Sequence, residues 1–229
     1  IVIASFFLCL PISLKEGVVI SWYESLFTAT SAVSVTGLTV VNTADTFSPV
    51  GNAILIVLFQ IGGIGIMTLG TFVWLMVARN ITLSHRKMIM VDQNRNHLSG
   101  LVRLLRIVFL LAFTFELIGA FIFTIYFYAA GYVTSWKQAV YQGVFHSIAA
   151  FTNAGFDIFR QSLLDFSNDY FVQIVTMMLI ILGAIGFPVL IEIRHYVFSG
   201  DQHFRFSLFT KLTGLTYIIL IAVGALGLW

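Results

Sequence analysis

Long hydrophobic runs without charge dominate this chain of 229 residues. Residues 53–78 and 170–191 contain no charged side chain, residues 107–130 contain only Glu116, and residues 212–229 form a further apolar run. About 20 apolar residues are enough to cross roughly 30 Å of hydrocarbon. With 59% hydrophobic and 10% charged residues, the composition lies far from that of a soluble domain. The sequence therefore predicts an all-α polytopic membrane protein.

A short polar segment occurs twice, each time before one of these runs. Residues 27–38 read FTATSAVSVTGL and residues 145–156 read FHSIAAFTNAGF, so an offset of 118 residues superimposes Gly37 on Gly155. Small and hydroxyl residues that end in a glycine can enter a membrane as a half-helix and return as extended backbone, provided that the backbone lines a water-filled path. We therefore interpret both segments as pore loops. The alternatives are amphipathic surface helices or helix ends buried in a bundle, but surface helices do not explain why both segments end in a polar stretch with a glycine, followed by a charged loop.

The order of the predicted elements is the same in both halves. Each half has an outer helix (residues 1–13 and 101–130), a pore helix (23–33 and 137–151) and an inner helix (50–79 and 169–194). This order predicts a first repeat over residues 1–79 with a truncated outer helix and, after a linker over residues 80–100, a second repeat over residues 101–198. Residues 199–229 would hold a second linker and the start of a third repeat near Phe206. Because the chain begins and ends inside apolar runs, we expect a longer protein.

Basic residues are concentrated in two of the loops. Residues 79–106 hold six Lys or Arg against one acid, and residues 192–211 hold three against two. The positive-inside rule then makes the loops at 80–100 and 195–211 cytoplasmic and the more acidic connections external. We expect no nucleic-acid partner, because basic residues beside the membrane are what topology alone predicts.

The pore loops carry the chemistry that we expect to be functional. Backbone carbonyls can replace the water shell of a potassium ion, and glycine supplies the conformational freedom that this needs. Val35-Thr36-Gly37 compares with the first three residues of the potassium-channel signature Thr-Val-Gly-Tyr-Gly, whose second glycine is missing here. The predicted K⁺ ligands are the backbone carbonyls of Val35, Thr36, Asn153 and Ala154. The whole predicted filter consists of Ser34, Val35, Thr36, Gly37, Thr152, Asn153, Ala154 and Gly155.

The duplicated order, the single filter glycines in SVTGLT and TNAGFD, and the run QIGGIG at residues 60–65 together resemble the Ktr/Trk/HKT superfamily of potassium transporters, closest to its KtrB-type membrane subunits. The resemblance covers nearly the whole chain. It implies four repeats around one pseudo-fourfold pore and potassium uptake across the plasma membrane, with stimulation by Na⁺ left open. It also implies a homodimer of pore subunits on a cytosolic ring of RCK-type nucleotide-binding subunits, and it places the gating elements in later repeats.

Several residues have a functional and a structural interpretation. Glu116 is an ionisable residue within a span and hence a functional candidate, although a protonated or hydrogen-bonded structural glutamate that packs its helix against a neighbour is favoured. For His146, hydrogen bonding behind the filter is favoured over ion coordination. Asp157 either attracts cations to the outer mouth or is an ordinary loop acid. The glycines at 62–65 and 183–186 favour close helix packing over hinges.

Two other classes of protein compete with a potassium pore. A secondary transporter would bind a small solute at broken helices, and a membrane scaffold would carry no flux. We find no sequence motif for a nucleophile with its base, a phosphate-binding loop or a metal cluster, so the sequence does not favour an enzyme. The single cysteine, Cys9, excludes an internal disulfide.

Overall fold

The computed structural model describes residues 1–65, 101–199 and 204–228. Its α-helices are α1 (Val2–Cys9), α2 (Trp22–Val33), α3 (Thr43–Thr46), α4 (Pro49–Gly63), α5 (Leu101–Ala129), α6 (Trp136–Phe151), α7 (Tyr170–Ala184), α8 (Phe187–Ser199) and α9 (Leu208–Leu228). Short 3₁₀ turns cover Pro11–Ser13 and Leu164–Phe166. In these ranges the chain forms no sheet, and a single antiparallel bridge joins Leu14 to Phe47. The predicted linker at residues 80–100 lies outside the described residues.

Two of the described helices are long and apolar enough to cross a membrane, over Leu105–Ala129 and Leu208–Gly227. A third candidate span is the pair α7 and α8, which is bent by 105°. Helix α4 is apolar but shorter. The prediction of a helical membrane protein is therefore confirmed.

The two pore helices begin and end within one residue of the predicted bounds. Ser21 caps α2, because its hydroxyl accepts a hydrogen bond from the Glu24 N–H at 3.3 Å while Glu24 Oε2 accepts one from the Ser21 N–H at 2.7 Å. The hydrogen bonds from the Ser21 backbone and hydroxyl hold the pKa of Glu24 below its usual value. At 12 residues, α2 is about 18 Å long, too short to cross the membrane.

The prediction of one continuous inner helix over residues 169–194 is wrong. Helix α7 ends at Ala184, and α8 starts at Phe187 in a different direction. Gly186 lies between them with a φ of +92°, and Pro188 follows in the first turn of α8. Such a φ cannot continue a right-handed helix, and proline has no N–H to donate back to α7. The break follows from this Gly-Phe-Pro sequence.

The other inner and outer helices differ less from expectation. Helix α4 ends at Gly63, two residues before Gly65, which has a φ of +93°, and the rest of the predicted inner helix lies outside the described residues. In the first outer helix, α1 ends at Cys9 because Pro11 follows, and a 3₁₀ turn completes the predicted segment. The third outer helix starts at Leu208, close to the expected position.

Two hydrophobic clusters hold these helices together. The first repeat packs α1, α2 and α4 on one another, and the second packs α5, α6 and α7. Helix α4 joins the two, since it also contacts α6. Phe59 of α4 is fully buried and its ring lies 5.7 Å from that of Phe145 and 5.1 Å from that of Phe156. The inner helix of the first repeat is therefore seated on the pore loop of the second.

Candidate functional site

Both pore helices end in the same arrangement of backbone hydrogen bonds. In α2 the N–H of Thr36 donates to Ser31 O at 3.0 Å and that of Val35 to Ala32 O at 3.4 Å. In α6 the N–H of Ala154 donates to Ala149 O at 2.9 Å and that of Asn153 to Ala150 O at 3.2 Å. These are the two bonds of a Schellman motif. The 118-residue offset found in the sequence therefore holds for the backbone as well.

The backbone angles of the two loops also match. Val35 has a φ of +53° and its counterpart Asn153 a φ of +57°, while Gly37 and Gly155 have values of +76° and +72°. Glycine adopts such angles without cost, but a β-branched residue such as Val35 does not. Strain of this kind costs of order 1–3 kcal/mol and tends to occur at functional sites.

The carbonyls predicted as ion ligands are left without partners by this geometry. Within the described ranges, no N–H or hydroxyl donates to the backbone oxygen of Val35, Thr36, Asn153 or Ala154. Their backbone N–H groups are used in the helix ends, so the backbone of these residues offers acceptors only. Side chains instead brace the loops. The Ser34 hydroxyl lies 2.6 Å from that of Thr36, the Thr152 hydroxyl donates to Ile148 O at 2.7 Å, and Asn153 Nδ2 donates to Phe151 O at 3.2 Å.

The two filter glycines lie against each other. A Cβ atom placed on Gly37 would be 2.9 Å from Gly155 Cα and 3.1 Å from Ala154 O. A Cβ on Gly155 would be 2.6 Å from Gly37 Cα. Side chains are therefore excluded at the point where the two loops meet, which brings the backbone of both repeats to one place.

The glycines at the ends of the inner helices pack closely against the same two loops. A Cβ on Gly62 would lie 2.3 Å from Val33 O, one on Gly63 would lie 2.6 Å from Thr152 Cβ, and one on Gly183 would lie 1.7 Å from Phe151 O. The expected close packing is confirmed for these three. At Gly65 and Gly186 the positive φ marks the helix ends instead.

His146 lies beneath the second loop and is buried, with 5% of its surface exposed. Its Nε2 is 2.9 Å from the Thr176 hydroxyl on α7, and its ring packs edge-on against Phe123 with the centroids 4.7 Å apart. The side chain therefore ties the pore helix to the inner helix of its own repeat. The predicted hydrogen-bonding role is confirmed.

An open cavity of about 380 Å³ borders Gly155 and is lined by polar residues of both repeats, among them Asn42, Asp157 and Arg160. Arg160 Nε pairs with Asp45 Oδ1 at 2.8 Å, and Asn42 Nδ2 donates to Arg160 O at 2.8 Å, so the loops that follow Gly37 and Gly155 are joined. One oxygen of Asp157 accepts the Phe159 N–H at 2.9 Å. Its other oxygen accepts no hydrogen bond from the described residues.

Sequence reasoning missed one residue of this region, Gln60. Its Nε2 donates to Glu116 Oε2 at 2.5 Å, which links α4 to α5. Glu116 is 3% exposed, so the interpretation of this glutamate as a residue that packs its helix against a neighbour is confirmed. The two residues are 56 positions apart, and no local pattern connects them.

These features define a class: a helical membrane protein whose duplicated short helices end in matched, strained loops that meet at their glycines. A search of protein-family profiles matches residues 10–229 to TrkH, described as a cation transport protein. The chain belongs to this family.

Three relatives illustrate the similarity. The chain is 49% identical over 229 residues to the Ktr system potassium uptake protein D of Bacillus subtilis, which covers 100% of this chain and 51% of the relative. It is 34% identical over 226 residues to the Ktr system potassium uptake protein B of the same organism, covering 99% of this chain and 49% of the relative. It is also 34% identical over 190 residues to the potassium/sodium uptake protein NtpJ of Enterococcus hirae, and this match covers 82% of this chain and 41% of the relative. The chain thus spans about half the length of these relatives, which are named as transport proteins and not as enzymes.

Proposed function

We propose that this chain supplies two pore loops of a potassium uptake protein of the plasma membrane, in which K⁺ is bound by the backbone carbonyls of Val35, Thr36, Asn153 and Ala154. The observation that supports this most is the matched backbone of the two loops. Val35 and Gly37, and again Asn153 and Gly155, adopt left-handed backbone angles, and the four carbonyls accept no hydrogen bond from the described part of the chain. Carbonyl oxygens without donors suit a cation that must lose its water.

The ends of the pore helices favour a cation in the same place. Helices α2 and α6 each end immediately before the filter residues. The carboxyl end of a helix carries a partial negative charge of roughly half an elementary charge. Both helices therefore add a stabilising field for K⁺, and for any other cation of similar size.

The larger architecture is part of the same proposal. Residues 1–79 and 101–198 would be two of four repeats around a pseudo-fourfold pore, separated by the linker at 80–100, and residues 199–229 would lead into a third. The loops at 80–100 and 195–211 would face the cytoplasm. The relatives in Bacillus subtilis are about twice as long as this chain and are named as parts of Ktr systems, which supports further repeats and additional subunits. We propose a homodimer on an RCK-type nucleotide-binding ring, surrounded by lipids.

A flux measurement on the complete gene product tests the filter. The protein and its Gly37→Ser variant would be reconstituted in liposomes, and K⁺ and Na⁺ fluxes measured separately. The Cβ of the serine meets Gly155 and Ala154 O at a φ of +76°, so the carbonyl cage is distorted and the ratio of K⁺ to Na⁺ flux should fall about tenfold, which corresponds to about 1.4 kcal/mol. Adding Na⁺ to the K⁺ uptake assay would test stimulation in the parent.

Gly131→Ser is the matched control. Gly131 has a similar φ of +78° but no described atom within 4 Å of an added Cβ, so it carries the backbone strain without the contact. Its flux ratio should equal that of the parent. If Gly37→Ser lowers total flux while the ratio stays fixed, Gly37 is a folding residue and the filter proposal fails.

A secondary transporter of a small solute is the second candidate. The observation in its favour is the break between α7 and α8, since solute sites of such transporters are often formed at broken helices. Competition separates the two functions. Amino acids or sugars that suppress ion flux in the parent protein would support the solute transporter, whereas unchanged K⁺ flux supports the pore.

A further inference from the structure

A buried acid and amide pair joins the two repeats just below the filter loops. Gln60 lies on α4 of the first repeat and Glu116 on α5 of the second, and a 2.5 Å hydrogen bond from Gln60 Nε2 to Glu116 Oε2 connects them. The pore helix α6 meets the same point, because the Ser147 hydroxyl donates to the backbone oxygen of Glu116 at 2.7 Å. Three elements from two repeats therefore converge on Glu116.

Two side-chain oxygens of the pair accept no hydrogen bond from the described residues. Both Gln60 Oε1 and Glu116 Oε1 are buried and have no hydrogen-bond partner among the described residues. A carboxylate that is 3% exposed and that receives, from the described residues, one amide N–H and no cationic group would be costly in such a place. A proton on Glu116 removes the charge and supplies the donor that the amide oxygen lacks, because a carboxylic acid and a primary amide each offer one donor and one acceptor on the same edge.

We propose that Glu116 is protonated, forms two hydrogen bonds with Gln60, and is a positioning residue that fixes α4 against both filter loops. This inference rests on the proposed function, since the filter is what the pair positions.

The path from the pair to the filter is short and rigid. Gly62 and Gly63 follow Gln60 within one turn, and a Cβ on either would fall within 2.6 Å of Val33 O or of Thr152 Cβ. On the other side, Phe59 packs against Phe145 and Phe156. Any sliding of α4 would therefore move the ends of both pore helices. Tightly packed contacts of this kind do not deform gradually.

The amide of this pair is not repeated in the second inner helix. When Gly62 is superimposed on Gly183, Gln60 corresponds to Ile181 in the second inner helix. The second inner helix therefore carries an apolar side chain where the first carries the amide.

The proposal can be tested in the complete gene product with substitutions that either keep or remove the hydrogen-bonded pair. Glu116→Gln keeps an uncharged edge with one donor and one acceptor, so its K⁺ to Na⁺ flux ratio should stay within about twofold of the parent. Glu116→Leu removes both hydrogen bonds and leaves the Gln60 amide unpaired, and its ratio should fall about fivefold to tenfold. The exchange Gln60→Glu with Glu116→Gln restores an acid and an amide and should return the ratio to the parent value.

Infrared spectroscopy tests the protonation without any flux. The parent should show the C=O stretching band of a protonated carboxylic acid, shifted in D₂O, which disappears in Glu116→Gln and returns in the exchanged pair. This measurement remains decisive if Glu116→Leu does not fold.

Two results would overturn the proposal. If Glu116→Gln loses selectivity as severely as Glu116→Leu, the carboxylate charge is required and the site holds a cation instead of a proton. If the protonated-acid band is absent from the parent, the pairing is wrong. Failure of the proposed function looks different, because the parent would then show no K⁺ flux while the infrared band would still report on the pair.

Discussion

Gly37 and Gly155 are in contact through their backbones, with space for no side chain between them. A Cβ on Gly155 would lie 2.6 Å from Gly37 Cα, and one on Gly37 would lie 2.9 Å from Gly155 Cα. Both residues adopt positive φ values within 4° of each other, at +76° and +72°. The contact explains why each pore loop needs a glycine at this position on steric grounds alone, before any ion is considered.

The first prediction concerns Gly183, which packs on the pore helix of its own repeat. A glycine to alanine change within an exposed helix normally stabilises by about 1 kcal/mol. In Gly183→Ala the new Cβ would lie 1.7 Å from Phe151 O, so backbone must move and we expect destabilisation by about 1–3 kcal/mol. Thermal unfolding of the purified protein in detergent measures this.

Gly214→Ala is the control for that substitution, because no described atom lies within 4 Å of its added Cβ. It should leave the unfolding temperature unchanged or raise it slightly. Equal unfolding temperatures for Gly183→Ala and Gly214→Ala would contradict the packing described for α7.

The second prediction concerns Asp157, whose carboxylate lines the cavity beside Gly155. A negative charge in a cleft raises the local concentration of cations, and salt screens this effect. Asp157→Asn should therefore lower the rate of K⁺ uptake about twofold to threefold at low ionic strength, and the difference should vanish at high ionic strength. The ratio of K⁺ to Na⁺ flux should not change.

Asp165→Asn is the matched control, since Asp165 is an exposed acid of the same loop that does not line this cavity. Its uptake rate should equal that of the parent at every salt concentration. An equal loss of rate in both variants would assign the effect to the overall charge of the loop and remove any special role of Asp157.

The third prediction concerns pH and Asp169, the N-cap of α7. Its carboxylate accepts the N–H groups of Phe171 and Val172 at 3.1 and 3.2 Å and the hydroxyls of Tyr126 and Tyr132 at 2.9 and 2.8 Å. Partial burial opposes ionisation, but the hydrogen bonds from Tyr132, from Tyr126 and from the N–H groups of Val172 and Phe171 together outweigh it and lower the pKa of Asp169. The same carboxylate, as hydrogen-bond acceptor, raises the pKa of Tyr132 to about 12.

A lowered pKa in the folded state means that Asp169 stabilises the fold above its unfolded-state pKa, and that this contribution is lost as pH falls through the folded value. Asp169→Ala should unfold about 1 kcal/mol more easily at neutral pH. The difference in stability between Asp169→Ala and the parent should become smaller as the pH is lowered below about 4. Unfolding temperatures across this range provide the test, and a gap that does not depend on pH would contradict the role of the ionised carboxylate.

Local sequence was enough to predict the pore helices, because their signals lie within a few residues of each other. The stretch of small and hydroxyl residues that ends in Gly37 predicted α2, and the matching stretch that ends in Gly155 predicted α6. The equivalence of Val35 and Asn153 in the two repeats also followed from the sequence, since the 118-residue offset is the same for both loops.

The break after α7 and the buried pair could not be predicted in the same way. Residues 170–191 contain no charge and are mostly apolar, so hydrophobicity alone does not distinguish a straight span from a bent one, although Gly186 and Pro188 carry the signal. The contact between Gln60 and Glu116 and the ion pair between Asp45 and Arg160 depend on how two repeats pack together, which no local pattern encodes.

The most direct test of the central claim is to locate the ion. Crystals of the complete gene product grown or soaked with Rb⁺, which substitutes for K⁺ and scatters anomalously, would be compared with crystals containing Na⁺ alone. The account predicts an anomalous peak within coordination distance of the carbonyl oxygens of Val35, Thr36, Asn153 and Ala154. A map in which Rb⁺ is absent from these carbonyls, or in which the carbonyls are hydrogen-bonded within helices, would contradict it.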